Sequence, residues 1–175
     1  MSDFDATSHD EFYKSLLGDF LGESEQILVG LNENLLRLDA WTRSGKEDPD
    51  VSQARNLLNE MCRSCHSLKG LSNMLGLDEI EELVEHVEML FEAGRNGSLS
   101  VGREIVALMF EAIDRLAALI DSLKDPDAPA VLYDRVIDRI TRILVGSAQN
   151  DASGKMSRIE EDLGRIESRV AEALA

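Results

Sequence analysis

The stretch Cys62-Arg63-Ser64-Cys65-His66-Ser67-Leu68-Lys69-Gly70 concentrates residues that could do chemistry. Its first five residues spell C-x-x-C-H, the attachment pattern of a c-type haem, in which His66 would bind iron. Its last five set a histidine one helical turn before a lysine and a glycine. Read that way, the His66 imidazole is a nucleophile and the Lys69 ammonium can neutralise an oxyanion. Gly70 then leaves a notch that another protein's backbone can enter. The two readings exclude each other.

The surrounding chain weighs against iron. Haem attachment by this pattern takes place outside the cytoplasm, whereas the N-terminus MSDFDATSHDEFYK has neither a basic nor an apolar signal region. Zinc fares no better, because Cys62, Cys65 and His66 supply at most three ligands and no second C-x-x-C or H-x-x-x-H follows. Redox chemistry would want a cysteine at a helix N-terminus, and these two lie beyond the first two turns of their helix. The expectation is no bound metal. Two cysteines make no disulfide framework and point to a reducing cytoplasm.

The elements that must position His66 are helical. The chain has 175 residues, only 5% aromatics and three prolines, with Leu, Ile, Val, Ala and Glu prominent. Phe12, Leu16, Phe20, Ile27, Leu31, Leu35 and Leu38 recur at helical spacing and predict a first helix from Asp10 to about Trp41, capped by Ser8 or Asp10. Residues 44–50 read as a loop. A second helix is predicted from Val51 to Leu75, buried through Ala54, Leu58, Met61, Cys65, Leu68 and Leu75 and stopped by Gly76. Asp78 caps the third, with Ile80, Leu83, Val84, Val87, Leu90 and Phe91 inward and Gly94 to Gly97 as its break. Ser100 caps the fourth, with Ile105, Leu108, Met109, Ala112, Leu116, Leu119 and Ile120 inward. A fifth, about Ala130 to Val145, carries Val136, Ile137, Ile140 and Leu144.

Short loops between such helices predict an all-α fold, an antiparallel up-and-down four-helix bundle with a fifth helix and a C-terminal extra helix. The bundle is expected over residues 8–146, a flexible linker over 147–154, and the extra helix over 155–175. Met156, Ile159, Leu163, Ile166 and Val170 form a narrow seam, suited to packing on the bundle or to a homodimer through 156–170. The net charge of −16 argues against nucleic acid or anionic membrane as a partner. No apolar run approaches the ~18 residues of a membrane span. No nucleotide-binding loop or serine elbow occurs.

On the second helix, Cys65 belongs to the apolar stripe, while His66 lies about 100° away among Asn59, Cys62, Lys69, Gly70 and Asn73. The next helix offers Glu81, Glu85, Glu88 and Glu92 along one side, any of which could orient the imidazole through Nδ1 and leave Nε2 free.

His66-Ser67-Leu68-Lys69-Gly70 resembles the H-[ST]-x-K-G core of histidine phosphotransfer (HPt) domains. The chain is similar, more narrowly, to the N-terminal phosphotransfer domain of CheA-type chemotaxis histidine kinases. The likeness includes Asp19 to Ser24, Leu31 to Leu38, Leu75-Gly76-Leu77, Val87 to Phe91, Arg95-Asn96-Gly97 and Glu111 to Leu116, and runs from about residue 10 to about 124. It implies a bundle that is not itself a kinase. His66 would accept the γ-phosphoryl of ATP from a histidine kinase ATP-binding domain and pass it to an aspartate of a response-regulator receiver domain. Lys69 matches the lysine near the phosphoryl oxygens, Gly70 the glycine that clears space for the partner, and Glu88 the glutamate that holds the ring. Cys62, Ser67 and Asn73 would flank the partner surface. The family usually has a second histidine three residues before that glutamate. Here Glu85 stands there, as a second candidate for orienting the imidazole, and His86 is one residue out of register. The resemblance implies no bound cofactor, since ATP comes with the donor and a divalent metal with the receiver, and a cytoplasmic location. It fits a free-standing module and the N-terminal part of a longer kinase equally. The alternative is a non-catalytic helical interaction or dimerisation protein in which His66 is incidental.

Overall fold

The computed structural model describes residues 3–44, 51–125, 127–149 and the single positions 152 and 156, with side chains described from Glu11 onward. Four helices, α1 Asp3–Arg43, α2 Val51–Leu75, α3 Asp78–Asn96 and α4 Arg103–Ser122, are followed by α5 over residues 134–149. Among the described residues there is no strand. α1 packs on α2, α2 on α3 and α3 on α4, and α4 closes back on α1. The result is the expected all-α bundle. Its centre is a continuous apolar cluster that includes Leu31, Leu35, Met61, Leu68, Leu83, Phe91, Met109 and Ile113.

The α2–α3 turn sets the frame for the site. Gly76 takes φ +65°, a left-handed conformation that a side chain would disfavour. Leu77 N–H then reaches the Ser72 carbonyl at 3.0 Å and Gly76 N–H the Asn73 carbonyl at 3.2 Å, closing the last turn of α2. The chain reverses within two residues, so α3 runs back antiparallel beside α2.

The structure corrects several expectations. α1 starts at Asp3, ahead of Ser8 and Asp10, and Phe12, expected on the buried stripe, is 65% exposed. At 41 residues α1 is longer than its 25-residue neighbour α2, so it extends past it. Asp78 lies inside α3 rather than capping it. Leu77 holds the cap position, with its carbonyl accepting from Ile80 and Glu81 N–H, and the Asp78 carboxylate instead faces the positive end of the helix. Gly94 does not break α3, which continues to Asn96 and ends at Gly97, φ +78°. A Cβ at Gly94 would sit 2.8 Å from Val101 Cγ2 and 3.4 Å from Leu58 Cδ1, so this glycine allows close packing.

α4 is capped by Gly102, not Ser100. Val106 and Ile113 enter the core in place of the half-buried Ile105. Leu57 joins the core stripe of α2, while Leu75, at its end, is only half-buried. α5 begins after Tyr133, whose carbonyl accepts from Val136 and Ile137 N–H, and it runs through residue 149. Residues 147–149, expected in the linker, are therefore helical. The remainder of the linker and of the 155–175 helix lies outside the described residues, apart from helical Ala152 and Met156, the latter 59% exposed.

Candidate functional site

α2 divides two neighbouring side chains completely. Cys65 points into the core at 0% exposure, and burial pushes its thiol well above the ordinary range. His66, one residue on, has a side chain 77% exposed. Its Nδ1 lies 3.4 Å from Glu88 Oε1 of α3. That is long for a hydrogen bond. Nε2 has no partner among the described residues.

Glu88 is shared. Its other oxygen, Oε2, receives the Lys69 ammonium at 2.7 Å, and Lys69 and Glu88 are 27% and 20% exposed. The Glu88 hydrogen bond holds the lysine above its usual pKa, with the charges of Glu88, Glu85 and Glu81 adding to it. One carboxylate thus faces the imidazole and tethers the cation one turn away. Glu85 is exposed and makes no hydrogen bond or ion pair among the described residues, so of the two candidate orienting carboxylates only Glu88 is in place.

Gly70 is exposed, and a Cβ there would meet nothing within 4 Å. The notch it leaves opens to solvent. Ser67 and Asn73 are exposed on this face, but Asn73 is engaged, its Nδ2 donating to both Glu81 carboxylate oxygens at 3.1 Å. Cys62, expected at the partner surface, is only 6% exposed, and burial raises its thiol pKa. It sits on the flank of α2 that α3 covers, between the core stripe and His66. The C-x-x-C cysteines are thus core residues. His86 plays no part here. It is half-buried, and its Nδ1–H donates to its own helix at the Glu82 carbonyl, 2.8 Å away.

Sequence reasoning missed Arg95 and Arg55. Arg95 Nη1 donates to Asn59 Oδ1 at 3.4 Å and Nη2 to Glu92 Oε1 at 2.7 Å, tying α3 to α2 two turns from His66. Pairing between helices depends on their register, which no local spacing reveals. Among the described residues no group of three or more His, Cys, Asp or Glu is placed to hold a metal ion, and no helix is long and apolar enough to cross a membrane.

The family model described as Hpt domain matches residues 15–125. The chain is 32% identical over 106 residues to the chemotaxis protein CheA of Bacillus subtilis, covering 61% of this chain and 14% of that protein. It is 27% identical over 151 residues to CheA of Cereibacter sphaeroides, covering 86% and 20%, and 24% identical over 139 residues to CheA of Listeria innocua, covering 79% and 21%. The chain thus spans at most about a fifth of the length of these relatives.

Proposed function

We infer what this chain does from the fact that it belongs to the Hpt domain family. It is a histidine phosphotransfer module of two-component signalling, and its reacting atom is Nε2 of His66. The observation that carries this reading is the exposed imidazole whose Nδ1 faces Glu88 while Lys69 is held on the same carboxylate.

The chemistry needs positioning and charge more than covalent machinery. With the proton on Nδ1, the Nε2 lone pair attacks the γ-phosphorus of ATP presented by a kinase ATP-binding domain. The bond to the β-phosphate oxygen breaks and ADP leaves. The ring gains positive charge as the N–P bond forms, and Glu88 stabilises it through Nδ1–H. Lys69 is within reach of the phosphoryl oxygens. In the second step a carboxylate oxygen of a receiver-domain aspartate attacks phosphorus, and the imidazole leaves in its starting protonation state. The nucleotide belongs to the donor and the divalent metal to the receiver. The Gly70 notch admits the partner backbone. The chain would work in the cytoplasm, with Glu85 acting only through its charge.

The test is intact mass after incubation with a CheA-type kinase ATP-binding domain and ATP. The native chain should gain one acid-labile phosphoryl group, and a folded His66→Gln variant none. A stable gain on the variant would overturn the assignment.

A further inference from the structure

Beside His66, between the N-terminal half of α2 and the end of α3, lies an open polar hollow of about 540 Å³ lined by Arg55, Asn56, Asn59, Arg95 and Asn96. We propose that this hollow is the docking subsite for an acidic side chain of the receiver domain. It would orient the receiver's aspartate pocket over His66. The proposal rests on the phosphotransfer reading of His66 and adds the partner contact that sets its direction.

Three observations carry it. The first is direction. Arg55 precedes His66 by eleven residues, which places it about 20° round α2 and about 16 Å along it, on the same face. Asn59 falls between them. A protein partner seated on His66 therefore overlies the hollow.

The second is readiness. The Arg95 guanidinium is held by Asn59, Glu92 and Asn96, which use three of its five N–H donors and leave two for a ligand. Glu92 offsets the Arg95 charge, but Arg55 makes no hydrogen bond or ion pair among the described residues. Among the described residues no carboxylate pairs with its charge. The three asparagines add neutral amide donors and no further negative charge.

The third is contrast. The chain carries −16 overall, and the opposite end of the same face presents Glu81 and Glu85. The face thus runs from cationic to anionic, with His66 in between. On an otherwise anionic chain, a cationic hollow on the His66 face is complementary to acidic side chains on the rim of a docking receiver. Most of this chain would repel that rim, while the Arg55 end attracts it. Complementarity of this kind governs encounter rate and orientation and weakens with salt.

The experiment titrates the ¹⁵N-labelled chain with a Mg²⁺-loaded chemotaxis-type receiver domain and, separately, with an isolated kinase ATP-binding domain and with inorganic phosphate. The receiver should shift the amides or side chains of Arg55, Asn59 and Asn96 together with those around His66. His66→Gln should leave that pattern intact. With His66 phosphorylated chemically by phosphoramidate, Arg55→Glu should raise the half-saturating receiver concentration about tenfold at low salt. The maximal drain rate should hold, the penalty should shrink at high salt, and Arg55→Lys should largely restore it. A receiver that shifts His66 and leaves Arg55 and Asn59 unmoved overturns the subsite. So does an Arg55→Glu penalty confined to the maximal rate, or shifts in the hollow produced by the kinase domain or by phosphate but not by the receiver. A receiver panel that shifts nothing overturns the subsite and the relay reading together. Failure of phosphoramidate to label His66, with the hollow still responding to the receiver, overturns the relay reading alone.

Discussion

Two of the bundle's helix–helix seams differ in character. Where α2 meets α3, apolar packing is reinforced by polar ties at successive levels: Asn73 to Glu81 near the turn, His66 and Lys69 to Glu88 midway, Arg95 to Asn59 toward the far end. Where α4 meets α1, no side-chain hydrogen bond or ion pair crosses among the described residues. The surface opens instead into a hollow of about 340 Å³ lined by Leu21, Leu28, Ala117 and Ala118, with Glu25, Asp121 and Lys124 among its other residues. Apolar burial is non-directional and tolerates small rotations of one helix against another. Hydrogen bonds and ion pairs between named atoms do not. Of these two seams, the one that carries His66 is the one whose rotation is pinned.

That contrast divides the molecule into a scaffold and an oriented face, and substitutions can break the division. The largest effect on stability should come from the apolar side. Leu31 of α1 is fully buried, and Leu31→Ala should destabilise the fold by about 2 to 5 kcal/mol in denaturant unfolding. The phosphorylation rate per folded molecule should stay within about twofold of the native chain, because nothing at His66 moves. A large loss of rate in molecules that remain folded would show that the α1 side also sets the site.

Glu88→Gln should do the reverse. It keeps the shape and removes the charge that faces Nδ1 and tethers Lys69. Phosphorylation should slow by about ten- to a hundredfold, as expected when a reacting group loses its orientation. Stability should fall by no more than about 1 kcal/mol, since the pair is part-exposed. The Lys69 titration, followed by NMR, should move back down toward the ordinary lysine range. The sign follows from linkage. A raised lysine pKa contributes stability that is complete below the ordinary value and is lost as the pH climbs through the raised one, so the variant should lose stability at neutral pH and show less alkaline destabilisation.

Asn73→Ala comes next in size. It removes the tie nearest the turn, at a cost of about 1 kcal/mol. Hydrogen exchange should quicken in the first turn of α3, at Ile80 and Glu81, without a matching change in α4. Equal loosening of both seams would contradict the pinning of α2 on α3.

Much of this was legible in the sequence, for identifiable reasons. The end of α2 could be read because Gly76 takes the left-handed conformation that glycine adopts most readily, and the α3 stripe because its apolar residues repeat without interruption. Local spacing is weaker where two adjacent positions are both apolar. Ile105 and Val106 differ by 100° of rotation, and only contact with the other helices selects Val106 for the core. Cys62 could not be placed from α2 alone, because α3 is what covers it. Gly94 looked like a stop and is a contact, a distinction that depends on Val101 and Leu58 approaching from elsewhere in the chain. At the site, His66, Lys69 and Gly70 could be named because they share a local motif, whereas spacing left four glutamates of α3 open and only the likeness to HPt domains singled out Glu88. Arg55 and Arg95, forty residues apart and sharing no motif, needed the fold.

Two glycines give the smallest and sharpest test. Both lie inside helices, where glycine costs roughly 0.5 to 1 kcal/mol relative to alanine. At Gly94 the fold accounts for the glycine: Gly94→Ala should destabilise, since its Cβ would have to displace Val101. At Gly70 nothing inside the molecule accounts for it, because a Cβ there meets open space. Gly70→Ala should therefore stabilise the chain by about 0.5 to 1 kcal/mol in thermal or denaturant unfolding. The same variant should weaken partner engagement, raising the half-saturating concentration of the kinase ATP-binding domain or of the receiver while chemical phosphorylation by phosphoramidate proceeds at the native rate. A small donor needs no room for a backbone; a protein does. If Gly70→Ala left both protein partners' half-saturating concentrations unchanged, the notch would have no role in docking, and the pinned seam would matter only for holding the imidazole.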